Sequence, residues 1–361
     1  MIRLCSIFLF ICLGLSHQVV AETRCSTPVF GVSAIAIDES ADTANLAQQI
    51  AMKEAHDTAF TQMLDRLLLS PLPAAEALVP EDFAELVHIR TETSLPGRYI
   101  AEIDICFSPQ EVRRFFTSQQ AVWAEVRTPP ILVLPIYETP AGIRAWRDDV
   151  SWIAGWRDIA TTHQGLVQFT SLPRTLVNER QLRAESLASA APDILAKAID
   201  IAGAVQVLVL HATQSFQEDR EQFIVRATLY NEEGQAIASL DDFVVSGVTG
   251  QTEAQLDAIK SDIISEFEMS WKEANQRTGT DDNTLIVEMP YDDLATWLQR
   301  RTALQSMPII ASFKVLTQTN RSAILAIEMA GSIESLRYSL SSLNLRLENN
   351  DDAYSIIGQE E

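Results

Sequence analysis

The sequence predicts a multidomain α+β and α/β chain behind an export segment, and three observations carry that reading. Apolar runs of strand length alternate with amphipathic stretches of helix length. Two of the strand-length runs, Ile131-Leu132-Val133-Leu134 and Val205 to Leu210, are apolar almost throughout, the pattern of strands buried on both faces. The element order β-α-β-β-α near the start returns as β-α-β-β-α-β at the end.

The chain opens on a targeting pattern. Arg3 is the only charge before an apolar run from Ile7 to Leu15, and Val19-Val20-Ala21 offers small residues for cleavage near Ala21. The run is shorter than the roughly 20 residues that span a bilayer, so the expectation is a cleaved secretory signal and a periplasmic protein. Cys5 and Cys12 lack the small-residue pattern that precedes a lipid-modified cysteine. Across 361 residues the composition is 47% hydrophobic and 21% charged, with a formal net charge of −22 spread along the chain. Such a charge attracts neither nucleic acid nor an anionic lipid surface. Beyond the signal, Cys25 and Cys106 remain in a compartment where disulfides persist. A bridge between them is expected, closing a loop of about 80 residues worth roughly 4 kcal/mol in the chain-entropy picture; two free thiols are the alternative.

The N-terminal domain is expected over 22–127. Val29 to Ile37 reads as a strand. A helix follows from about Asn45 to Leu69, with Ala47, Ala51, Ala55 and Ala59 as a ridge that lets it lie close to a sheet, beside Leu46, Ile50, Met63, Leu64 and Leu67. Ser70-Pro71-Leu72-Pro73 stops it, and Pro80 opens a short helix. Leu86 to Thr93 and Arg98 to Phe107 are strands; in the second, Tyr99, Ala101, Ile103, Ile105 and Phe107 face one way and Glu102, Asp104 and Cys106 the other. Ser108-Pro109-Gln110-Glu111 is a capping box with proline at its first helical position. If the first and third strands pair antiparallel, Cys106 comes beside Cys25 on the solvent face of the sheet.

The central domain is expected over 128–277 as three α/β layers. Val167 to Phe169 is a possible second strand, Leu187 to Ala202 a helix ended by Gly203, and Phe223 to Tyr230 with Ala236 to Val245 an antiparallel hairpin around Asn231-Glu232-Glu233-Gly234. A long helix closes it, with Leu256, Ile259, Ile263, Phe267 and Trp271 on its buried face. Residues 278–284 read as a linker. The last domain, 285–361, carries the order of the ferredoxin-like plan: strand Leu285 to Met289, helix Asp292 to Gln305 with Leu294, Trp297, Leu298 and Leu304 inward, strands Met307 to Leu316 and Ala323 to Met329, a helix capped by Ser332, and a final strand Leu345 to Leu347.

Four features together resemble one family: the alanine-stepped helix, the strand from Arg98-Tyr99 to Phe107, the Pro129-Pro130-Ile131-Leu132-Val133 entry and the tryptophan-rich segment after it. That family is an uncharacterised one of Gram-negative envelope proteins, domain of unknown function twenty sixty-six. The central domain is also similar to the N-terminal domain of the TolB translocation protein and of related envelope assembly modules. The resemblance implies a non-enzymatic periplasmic interaction protein and supplies no catalytic residue.

The residues themselves point the same way. His56, His88, His163 and His211 have no ligand-type spacing, so no metal is expected, and no glycine-rich loop follows a buried strand, so no phosphate cofactor is expected either. The best candidate surface begins at the carboxyl end of the first buried strand, where open α/β sheets place ligand crevices. Tyr137, Arg144, Trp146, Arg147, Trp152, Trp156 and Arg157 are residue types enriched at binding hot spots. The competing reading is that Trp152 and Trp156, four apart, are core. The function expected is a non-catalytic envelope scaffold with an unidentified protein partner. The alternatives are an envelope-polymer hydrolase using Glu138 with Asp148 or Asp149, and a carrier of a small apolar ligand.

Overall fold

The structure, a computed structural model, describes residues 25, 27–147, 149–217, 220–247, 252–278, 284–307, 309–329, 331–350 and 353–358. The expected export segment and residues 279–283 of the expected linker lie outside them. Among the described residues the strands form four sheets, and no helix is long and apolar enough to cross a membrane.

The first sheet contains β1 (Gly31–Ser40), β2 (Ala84–Leu95) and β3 (Arg98–Phe107) in the order β1-β3-β2, antiparallel throughout. Helix α1 (Ala44–Leu67) starts where the Thr43 side chain accepts from the Leu46 amide, and its four ridge alanines are wholly buried. Without side-chain bulk they let the helix lie on the Tyr99, Ala101, Ile103 and Ile105 face of β3. Leu46 and Ile50, expected to pack beside the ridge, are exposed instead. Helix α2 (Pro109–Ser118) begins as the capping box requires, with Ser108 accepting from the Glu111 amide.

Cys25 and Cys106 are bridged, with Cα atoms 5.5 Å apart across a separation of 81 residues. The bond lies on the face of β3 opposite α1, as the strand alternation implies. That face is not open to solvent there, for Cys106 is 5% exposed. Gly31, opposite Cys106 in the β1–β3 register, leaves the room: a Cβ on it would stand 2.2 Å from Cys25 Sγ. Gly31→Ala is therefore expected to displace Cys25 and leave both thiols titratable in the unfolded protein, with a stability loss approaching the roughly 4 kcal/mol of the loop closure. Full bridging in that variant, by thiol titration under denaturant, is the contrary result.

β4 (Val122–Trp123) leads into the central sheet of β5 (Ile131–Thr139), β6 (Gly142–Arg144), β7 (Phe169–Ser171), β8 (Gln206–Gln217), β9 (Arg220–Tyr230), β10 (Ala236–Ser239) and β11 (Phe243–Gly247). β5 runs parallel to β7 and β8, while β6, β9, β10 and β11 join antiparallel. β5 changes neighbour along one edge, pairing β7 over Ile131 to Val133 and β6 over Tyr137 to Thr139. Pro135, which has no N–H to donate, sits in the interval between them. Helix α3 (Ser151–Thr162) covers one face. Helices α4 (Leu176–Gln181), α5 (Ala184–Ala188) and α6 (Pro192–Ala202) lie on the chain between β7 and β8, and α5 and α6 cover the other face, giving the expected three layers. The helix expected over Leu187 to Ala202 is two, because Pro192 starts α6 afresh; Gly203 ends it with φ 63°. The strand expected over Ala236 to Val245 is likewise broken into β10 and β11.

Helix α7 (Thr252–Ala274) buries Leu256, Ile259 and Ile263 beside α3, and β12 (Arg277–Thr278) then pairs antiparallel with β4. The last sheet comprises β13 (Thr284–Pro290), β14 (Ile310–Gln318), β15 (Ser322–Met329), β16 (Leu345–Asn350) and β17 (Ala353–Gly358), with helices α8 (Leu294–Ser306) and α9 (Ile333–Ser341). Its order, β14-β15-β13-β17-β16, departs from the ferredoxin-like plan. β16 is displaced to the edge because β17, a strand beyond the expected plan, folds back between it and β13 and runs parallel to β13. On α8, Trp297 and Leu304 are inward as expected, but Leu294 and Leu298 face solvent.

Three cores meet at one residue. Trp271, in the last turn of α7, packs against the N-terminal, central and C-terminal clusters, and its Nε1 donates to the Val126 carbonyl at 2.7 Å. Its neighbours tie the same parts. Lys272 donates to the Asp65 and Leu68 carbonyls at the end of α1, and Asn275 accepts from Ser335 at the start of α9.

Candidate functional site

The aromatic segment is placed mostly inside. Trp152 and Trp156 are wholly buried on α3, edge-on to each other at 5.8 Å, against the central sheet. Trp146 is 8% exposed on the opposite face of that sheet, and its Nε1 donates to the Leu182 carbonyl at 2.8 Å. Beside the middle of β5, Trp146, Leu172 and Leu187 line a filled crevice of only about 10 Å³. The polar members stay nearer solvent: Tyr137 stacks on Phe223, Arg144 lies opposite it on β6, and Arg147 forms a two-point pair with Asp149. Arg157 lines that same filled crevice. The acids of the hydrolase alternative are committed elsewhere, Asp149 to Arg147 and Glu138 to His211 at 2.8 Å; Asp148 lies outside the described residues.

A larger space lies where no sequence motif points. The polar face of the N-terminal sheet and the segment from the end of α3 to β7 enclose an open cleft of about 850 Å³. One wall is the Cys25–Cys106 bridge with His88 and Arg90 on β2 and Asp104 on β3. The other is Thr161 to Gln164, and Arg127 forms part of the lining. β1 bulges here: the register slips between Val32 and Ile35, and Ala34 adopts φ 59°, a left-handed conformation costly for alanine.

Two side chains hold that bulge. The Ala34 amide donates to Asp104 Oδ1 at 2.8 Å, and Gln164 makes a reciprocal pair with the Ser33 backbone at 2.9 Å each way. Asp104 also receives Arg90 Nε at 2.6 Å. Deeper in, Glu268 of α7 accepts from the Leu166 and Val167 amides and meets His163 Nε2 at 2.8 Å. Glu268 thus fixes the loop that forms the far wall. The cleft presents a polar surface with a guanidinium, imidazoles and amides, and Asp104 and Glu268 have the partners just named.

His163 and His211, solitary in the sequence, each find a carboxylate, 105 and 73 residues away. His56 instead bonds the Met52 carbonyl within α1. Among the described residues no three His, Cys, Asp or Glu side chains gather as metal ligands. The only foreshadowing of the cleft was the alternation that put Glu102, Asp104 and Cys106 on one face of β3. Nothing local announces that residues 161–168 cover that face.

No family model and no curated protein matches the chain. Among solved structures it is similar to the lipoprotein GNA1162 of Neisseria meningitidis, at 18% identity and a TM-score of 0.25, over 38% of this chain and 96% of that one. It is also similar to the protein XCC0632 of Xanthomonas campestris, described under family model DUF330, at 10% identity and a TM-score of 0.23, over 41% and 85%. A third, the hypothetical protein CT253 of Chlamydia trachomatis, shows 12% identity and a TM-score of 0.24, over 39% and 96%. Likeness at this level carries no conclusion about activity.

Proposed function

We propose that the chain is an exported, non-catalytic interaction protein of the Gram-negative envelope, working in the periplasm with a protein partner. On the residues quoted above, it would stand with the envelope family of domain of unknown function twenty sixty-six. The observation that carries the reading is the cleft beside the disulfide. It is preformed, polar and wide, and its acids are committed: Asp104 to Arg90 and the Ala34 amide, Glu268 to His163 and two backbone amides. General acid–base chemistry needs a group within reach of the substrate and poised to exchange a proton; recognition needs fixed donors and a stiff frame. The Cys25–Cys106 bond supports export, since such bonds persist in oxidising compartments.

Photo-crosslinking in cells tests it. With the probe at Thr161 or Thr162, exposed at the end of α3, a discrete adduct is expected. None is expected with the probe at Glu232, on the hairpin between β9 and β10. Absence of adducts at both rim positions, with the protein exported and bridged, would sink the reading.

A further inference from the structure

Charge in the cleft is unbalanced. Arg127 comes from the segment between β4 and β5, half-buried, with Nη2 on the Pro28 carbonyl at 3.3 Å and a buried Nε that finds no partner among the described residues. Behind it Arg66, 6% exposed, spends its guanidinium on two neutral acceptors, the Val29 and Gly31 carbonyls, at 2.9 and 2.6 Å. One carboxylate, Glu268, acts at a distance on both arginines, and its oxygens already serve two amides and His163. Burial holds Arg127 below the ordinary arginine range and pushes Arg66 down to about 10, the neighbouring Arg127 adding to the effect. On the facing wall Arg90 is matched by Asp104 and adds no surplus. Arg127 on the cleft wall and the buried Arg66 behind it thus share one nearby acid, Glu268, in a protein of net charge −22. Retaining such an excess is costly unless something negative arrives to pair with it.

We propose that the cleft is an anion-binding site, taking a carboxylate or phosphate group of its ligand on the Arg127 guanidinium. A planar fork of N–H donors suits both groups, and the 850 Å³ of space accommodates the larger molecule that carries the anion. Gln164 is fixed on the Ser33 backbone beside it, and His88 faces the same space. The inference rests on the cleft being the interaction site and names what it recognises.

The test uses the bridged, full-length exported protein, titrated with inorganic phosphate and separately with succinate, chloride holding the ionic strength constant. The Arg127 Nε–H resonance and the thermal midpoint are followed. A saturable shift of that resonance is expected with at least one probe, the effective one showing which group the site takes. Arg127→Gln is expected to weaken binding about tenfold or more, and Arg127→Lys less. The wild-type resonance reads the site even if the glutamine variant does not fold. No saturable response to either probe, or equal binding by folded Arg127→Gln, would overturn the proposal. A crosslinked partner at Thr161 combined with no anion response removes this inference and leaves the interaction reading standing. Anion binding through Arg127 with no partner captured does the reverse.

Discussion

Trp271→Ala is expected to lower stability by about 3 kcal/mol, toward the lower end for tryptophan truncation because the side chain is only partly buried. The more telling change is in cooperativity. The indole is the common neighbour of the three cores, and its Nε1 anchors Val126, itself part of the C-terminal core. Removing it opens the junction from all three sides at once, so guanidinium unfolding is expected to separate into more than one transition, with a lower apparent m-value in each. Trp297→Ala is the control, since Trp297 belongs to the C-terminal core alone among the described clusters; being more deeply buried it should cost at least as much, without adding the junction to the loss. Trp271→Phe keeps most of the packing and gives up one hydrogen bond, for about 1 kcal/mol. A single sharp transition in Trp271→Ala, merely shifted, would mean that the junction is held by β4–β12 pairing and Lys272 instead.

How much of this was legible depended on how local the cause was. The alanine ridge of α1, the alternation of β3, the Ser108 and Ser332 caps and the Gly203 terminus each follow from a few neighbouring residues, and each stands where expected. Periodicity served less well where a helix has two apolar flanks. Leu46 and Ile50 on α1, and Leu294 and Leu298 on α8, have the right spacing to pack, but no described element covers them. β17 falls outside the expected plan although Asn349-Asn350-Asp351-Asp352 is turn-like and Tyr354-Ser355-Ile356 alternates, because a ferredoxin-like order complete at four strands leaves it no place. The aromatic segment shows the limit most clearly. Trp146, Trp152 and Trp156 have hot-spot composition, yet whether a tryptophan lines a lip or fills a core depends on what lies opposite, here β5, β7 and the chain around Leu182. Beyond the polar face of β3 the cleft could not be read, because it joins residues 25, 28–34, 88–104, 127 and 161–168 through contacts made by α7.

The other large effect is expected at Glu125, in the same connecting segment as Val126 and Arg127. Its side chain is 1% exposed and lies between two arginines, Arg113 Nε at 2.8 Å and Arg277, whose guanidinium also sits 5.3 Å over the Trp123 ring. Glu125→Ala should cost about 3–5 kcal/mol, the usual range for stripping one partner from a buried pair. The reason is what remains: Arg113 is 30% exposed and can turn to water, but Arg277 is 9% exposed, its Nε has no partner among the described residues, and the Trp123 face would be left to compensate its charge. Arg277→Met should be costly for the mirror reason, leaving a buried carboxylate on one half-exposed arginine. The double variant should then lose much less than the sum, with a coupling of about 2 kcal/mol or more in a denaturant cycle. Additivity would show that the pair contributes no mutual stabilisation. Coupling without a large net cost for the double variant would show the pair to be a device that fixes the β4–β12 register, joining the start of the central chain to its end, more than a source of stability.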